Sequence, residues 1–242
     1  MTLNCRQQGN GMFVLSRSEI EQIATDVLRE VAPQNLVYPM ALSTDILFDH
    51  YGLMVKHAFL GIPGHEILGA TVMGDSAEIV VYDYQMNPDV QEETYGTVLI
   101  HSNLNCANQT PRRRYTEAHE CSHWILHKPY YDMKLRTNNR HLIACRSVET
   151  FRPARKTDAD WCEWQADTLA ASLLMPREMF NRYAQHLLKE AGAPRGYLIE
   201  GNPVCRAIYR EVIEPISSKF CVSNRAAQIR MIHLGIIRTP SI

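Results

Sequence analysis

The chain is poor in most of the features that would place it outside the ordinary globular class. No apolar run reaches the roughly 18 residues of a membrane span, which excludes a helical membrane protein. It carries almost no net charge, −1 over 242 residues, so the molecule as a whole has no strong field to draw nucleic acid or membrane. Glycine and proline are modest at 12 each, which excludes collagen-like and low-complexity classes. Seven cysteines, scattered at 5, 106, 121, 145, 162, 205 and 221, are odd in number and make no disulfide framework; a reducing cytoplasm is the expected compartment. The opening MTLNCRQQGNGMFVLSRSE holds only a four-residue apolar run, so no signal peptide is expected. What is present, 45% hydrophobic residues in a chain of this length, suffices for one large domain or two small ones with a real core.

The near-zero total hides an uneven distribution. Residues 1–110 hold 4 basic and 13 acidic side chains, whereas 111–156 hold 11 basic and 4 acidic. The basic stretch includes Arg136, Arg140 and Arg146, which become candidate nucleic-acid contacts if it is more than a solvated face.

Periodicity gives an α+β outline. SEIEQIATDVLREV reads as a helix capped by Ser18 and ended by Pro33, and a second helix is expected after Pro39, closed by Gly52. Residues 52–104 read as a small, mostly antiparallel sheet: LMVKHAF, then a hairpin of ILGATVM and AEIVVYD about Gly74-Asp75, then TVLIHSNL. RRRYTEAHECSHWILHK is helical, 129–157 is a basic excursion without clear period, and DADWCEWQADTLAASLLM is a strong helix. Helices are expected over 177–190, VCRAIYREVIEPISSKF and Ser223–His233, the last closed by Gly235. The domain division expected is 1–190, containing the chemistry, and 191–242, a helical, helix-turn-helix-like region packed on it.

The chemistry lies in two segments. His119-Glu120-Cys121-Ser122-His123 is an HExxH: on a helix its imidazoles share one face, spaced to bind one Zn²⁺, with Glu120 placed to act on a water as general base. Glu163, in the helix EWQADTLAASLLMP, would complete a two-His, one-Glu ligand set. Asp167, one turn further, would accept the free N–H of a ligand imidazole, His119 being the expected partner. His127 extends the face of His123 and reads more readily as a helix-end imidazole than as support for the site.

RRRYTEAHECSHWILH resembles the "RRFTLAHELGHxxLH" helix of the ImmA/IrrE family of metallo-endopeptidases, EWQADTLAASLLMP its "ExEANxFAAxLLMP" helix, and FCVSNRAAQIRMIHLGIIR its C-terminal "FxVSxxAxxxRLxxLGLI" segment. The resemblance implies a mainly helical gluzincin-like peptidase core, zinc ligands at His119, His123 and Glu163, and a catalytic glutamate at Glu120. It also implies an intracellular endopeptidase that cleaves a cognate helix-turn-helix repressor, with Zn²⁺ as cofactor and Mn²⁺ an alternative in the cell. The sequence departs from the pattern at Cys121, Ser122, Gln165 and Asp167, and in the long spacing between His123 and Glu163.

The oxyanion formed in hydrolysis needs a further donor, for which Tyr115, Tyr130, Tyr131, His141 and Tyr183 are candidates. Cys145, in the basic excursion, is a candidate inhibitory fourth ligand, since a thiolate there would displace water. Some relatives are switched on by DNA, so single-stranded or damaged DNA is an expected activator. The competing reading is a non-catalytic DNA-binding regulator with a structural zinc, against which an intact Glu120 argues, because structural sites need no base.

Overall fold

The computed structural model describes residues 6–62, 64–137, 143–147, 157–193 and 195–239, the backbone alone at 136–137 and 143–147. Packing divides the chain into two compact units, one of residues 1–20 and 44–170, the other of 21–43 and 171–242. The boundary expected after residue 190 is drawn from motifs; packing divides the chain at other points. Among the described residues no helix is long and apolar enough to cross a membrane.

Helix α1 (Arg17–Val31), whose first turn is counted with the first unit and the rest with the second, starts at Ser16 and not at the expected Ser18. The Ser16 hydroxyl accepts from the Glu19 N–H while the Glu19 carboxylate accepts from the Ser16 N–H, so two otherwise orphaned donors are satisfied reciprocally. Helix α2 (Asp45–Tyr51) begins later than expected and closes on Gly52 in the left-handed conformation.

The strands are β1 (Met54–Ile62), β2 (His65–Val72), β3 (Ser76–Tyr82), β4 (Pro88–Thr94), β5 (Thr97–His101) and β6 (Ile143–Ser147). They form one sheet in the order β4-β3-β1-β5-β2-β6, antiparallel except for the β1–β5 pair. The expected β2–β3 hairpin is a correction: the two strands follow each other but do not pair. β3 pairs instead with β1, Leu60 opposite Val81, and forms its hairpin with β4, Val80 opposite Val90. β4 escapes sequence reading because it is a polar edge strand in which Glu93 alone is buried, ion-paired to Lys56 at 2.8 Å. Leu60, Ala70, Val72, Ala77, Ile79, Val81 and Leu99 form a core across the central strands.

Helix α3 (Thr110–Thr137) is longer than its motif suggested, because it runs through Pro129 into the expected excursion. Proline removes one helical hydrogen bond; the turn after it is held by Tyr130, which packs with Met12 and Cys162. The excursion thus loses its first residues to α3 and contributes β6, paired antiparallel with β2. Helix α4 (Asp158–Leu174) opens with Thr157 and Asp160 capping each other's N–H.

The second unit contains α5 (Arg177–Glu190), α6 (Pro203–Phe220) and α7 (Asn224–His233), with two short parallel strands, β7 (Leu198–Ile199) and β8 (Ile237–Arg238). Three residues connect α6 to α7, and Ser223 caps α7 by accepting from Ala226 N. Arg230 of α7 is 1% exposed. Its guanidinium donates to both carboxylate oxygens of Glu21 and, through Nε, to the Met175 carbonyl at 3.0 Å, so this cation holds the fold together and is not presented to a ligand.

Candidate metal centre

Two helices and one strand of the first unit build the site. α3 supplies His119, Glu120, His123 and His127, and α4 supplies Glu163, Gln165 and Asp167. The four-residue spacing of the histidines on α3 stacks their rings on one face, His119 and His123 with centroids 4.7 Å apart. Their Nε2 atoms lie 3.0 Å from each other, and the two oxygens of Glu163 lie 3.2 Å from each of them in turn. His119, His123 and Glu163 are thereby the group among the described residues able to hold a metal ion.

The donor set fits a small divalent cation. Ligand atoms arranged tetrahedrally about 2.0–2.1 Å from zinc stand about 3.3 Å apart, close to the separations here. Two buried imidazole nitrogens with a carboxylate between them present converging lone pairs, which only a proton or a cation can reconcile. Burial alone would raise the Glu163 carboxyl, but the close approach of the His119 and His123 rings outweighs it and holds the group below the usual carboxylate range. Asp167 Oδ1 lies 3.0 Å from His119 Nδ1, the ring nitrogen turned away from Glu163.

Glu120 lies against the sheet. Its side chain is fully buried, Thr71 of β2 donates to Oε2 at 2.8 Å, and Oε1 has no hydrogen-bond partner among the described residues. Room for this carboxylate comes from Gly69, where a Cβ would lie 2.6 Å from Oε1 and 2.8 Å from Cγ. Burial raises the Glu120 carboxyl above its ordinary value, against the opposing pull of His119, His123 and the Thr71 hydroxyl. A carboxyl with raised affinity for a proton and one uncommitted oxygen is equipped to take a proton and give it back.

The other candidates fall elsewhere. The Tyr115 hydroxyl donates to the Asp167 carbonyl at 3.1 Å, which ties it to α4 beside the site. Tyr130 is buried with Met12 and Cys162, and Tyr131 packs against that cluster, a core role in place of the expected donor role. Tyr183 belongs to the second unit, where its ring meets Phe220. His141 and Arg140 lie outside the described residues, as do the side chains of Arg136, Cys145 and Arg146; in the backbone register Cys145 stands opposite Ala70 of β2. Cys121 is buried and its thiol pushed up by that burial, so the extra sulfur beside the motif is an inert filler. Cys162 is likewise buried, its thiol raised to about 12.

His127 corrects the expectation of a helix-end imidazole, because α3 continues past it and the ring is fully buried. Burial lowers its pKa well below the ordinary value, chiefly by penalising the charged form. Gly69 and Thr71 carry no signal in a linear motif, and Gln165 shows there only as a departure from the pattern. A glycine inside an apolar strand and a third histidine continuing the i, i+4 series are the hints that the sequence does contain.

A helix-borne two-histidine, one-carboxylate centre with an adjoining buried glutamate is the constellation of a metallopeptidase. Residues 85–195, which include α3 and α4, match the family model Peptidase_M78, described as the IrrE N-terminal-like domain. Over that stretch, which is less than half of the chain, the protein is similar to the peptidase domain of the ImmA/IrrE family. No curated protein matches the chain.

Proposed function

We propose that this chain is a zinc-dependent endopeptidase, with His119, His123 and Glu163 as metal ligands and Glu120 as general base, acting in the cytoplasm on a helix-turn-helix repressor. The observation that carries the reading is the convergence of three donor atoms beside a buried carboxylate whose Oε1 is uncommitted. Zinc bound there would supply Lewis acidity, polarising a scissile carbonyl and lowering the pKa of water.

The remaining work belongs to the chain. Thr71 holds Oε2 of Glu120, so the carboxylate receives a proton at Oε1 and its raised pKa suits it to deliver that proton to the leaving amine. Asp167 orients His119 and increases the basicity of its far nitrogen. Gly69 keeps β2 close enough for Thr71 to reach. Tyr115 stands beside the site on α3, but its hydroxyl hydrogen is committed to the Asp167 carbonyl, so it would serve an oxyanion only after leaving that bond.

The test is incubation of the zinc-reconstituted protein with a helix-turn-helix repressor encoded beside it. Cleavage that stops with chelator and returns with zinc supports the reading; failure to take up stoichiometric metal, or cleavage indifferent to chelator, overturns it. The same assay with and without single-stranded DNA tests the regulatory extension, in which Arg136, Arg140 and Arg146 bind DNA and Cys145 leaves the metal. Equal activity of Cys145→Ser and the unaltered chain in both conditions removes that extension.

A further inference from the structure

A buried chain of polar contacts leads from the backbone of the N-terminal segment to His123 and is unused by the chemistry above. Gln165 Nε2 donates to the Phe13 carbonyl at 2.8 Å, Gln165 Oε1 lies 3.1 Å from His127 Nε2, and His127 Nδ1 lies 3.0 Å from His123 Nδ1. His123 and His127 are fully buried and Gln165 is 2% exposed, so water does not compete for these bonds.

The direction of each bond follows from the groups themselves. A peptide carbonyl only accepts, so Gln165 turns its NH₂ to Phe13 and its oxygen to His127. That oxygen also only accepts, so His127 carries its hydrogen on Nε2. The neutral ring then has its lone pair on Nδ1, facing His123. His123 then donates from Nδ1, so that its neutral ring has the lone pair on Nε2, the atom that lies beside Glu163. The opposite direction needs a cationic His127 in a site with no exposure and puts a hydrogen on the very nitrogen that would bind metal.

We propose that His127 and Gln165 are positioning residues that fix the tautomer of His123 through a relay anchored on the Phe13 carbonyl, so that Nε2 is presented as a ligand before any metal arrives. The purpose assigned to the relay rests on the metal-site reading above; the tautomer belongs to the protein itself. The two imidazoles are thereby held by different chemistry. His119 leans on a carboxylate, Asp167, and His123 on an uncharged relay, so His119 is the more strongly polarised donor.

Long-range ¹H–¹⁵N spectra of the histidine side chains, recorded on the full metal-free chain near neutral pH, read the tautomers directly. The expected result is hydrogen on Nε2 of His127 and on Nδ1 of His123; hydrogen on Nδ1 of His127 overturns the proposal without any variant. Gln165→Met keeps the volume and removes the acceptor. It should scramble the His127 tautomer and weaken zinc binding, measured by competition with a chromogenic chelator, by about 10–100-fold. An unchanged tautomer and unchanged zinc affinity in that variant also overturn it. His127→Leu should lose affinity by a similar factor, while His127→Asn, which sets an amide oxygen near the position of Nδ1, should recover most of it; equal losses in both count against the relay. Absence of zinc binding in the unaltered chain defeats the metal-site reading alone, since the spectra still decide the tautomer.

Discussion

Each unit of the molecule buries a charged side chain, and the two are treated in opposite ways. Arg230, 1% exposed, has its guanidinium bonded to both oxygens of Glu21 and to the Met175 carbonyl, with Arg177 3.6 Å from the same carboxylate. Glu120 is equally buried, yet one of its oxygens is bonded to Thr71 and the other to nothing described. A buried charge with every valence filled serves the fold, because its desolvation is offset where it sits. A buried charge with one atom left over costs stability, and such a cost persists where the atom has work to do.

Removing each group in turn should separate the two roles. The largest effect is expected from Glu120→Gln, which keeps the shape and takes away the base: hydrolysis should fall by about 10²–10⁴-fold while zinc binding persists. Rates of peptide cleavage alongside metal content check this, and full activity in the variant would transfer the base role elsewhere. Next comes Arg230→Met, which leaves the Glu21 carboxylate with Arg177 at 3.6 Å in place of its two direct guanidinium bonds. Urea denaturation should show a loss of about 3–5 kcal/mol, with zinc affinity of the folded fraction unchanged. A loss well under that range would mean that Arg230 contributes less than its bonding suggests.

The smallest effect lies in the pH dependence of the metal-free protein. Because folding raises the Glu120 carboxyl above its ordinary 4.5, the stability it contributes is complete below that value and is lost as pH rises through the raised one. Glu120→Gln has no such loss, so the variant should gain on the unaltered chain as pH climbs through this window, then hold a constant lead. Urea midpoints of both proteins across the acid-to-neutral range give the comparison; parallel curves would show that the burial of Glu120 has no energetic consequence.

How much of this was legible in the sequence depends on the distance over which each signal acts. Helix α5 falls on the residues its periodicity marks, and the ligand residues of α3 and α4 are readable because a helix turns a fixed spacing into a shared face. The start of α1 lies two residues before the expected cap because Ser16 and Ser18 are both good caps, and Glu19, three residues after Ser16, completes the reciprocal pair. Strand pairing was less legible. A turn-like Gly74-Asp75 between apolar runs suggests a hairpin, but β3 finds partners in β1 and in the polar β4, a choice made by the whole sheet. The support around the site escaped for the same reason. Thr71 meets Glu120 from 49 residues away, and Gln165 reaches Phe13 across 152, so no local pattern announces either contact. The Peptidase_M78 match covers α3 and α4 but ends short of Gly69, Thr71 and Phe13.

Gly69 shows what a scale of chemical similarity leaves out. By such a scale an alanine there is the mildest of changes, a single methyl on a backbone that needs no unusual angles. In this molecule that methyl would claim space already occupied by Glu120 and by the Thr116 side chain, 2.8 Å away. The residue with the least chemistry of its own thus marks the boundary within which the most reactive one must stand.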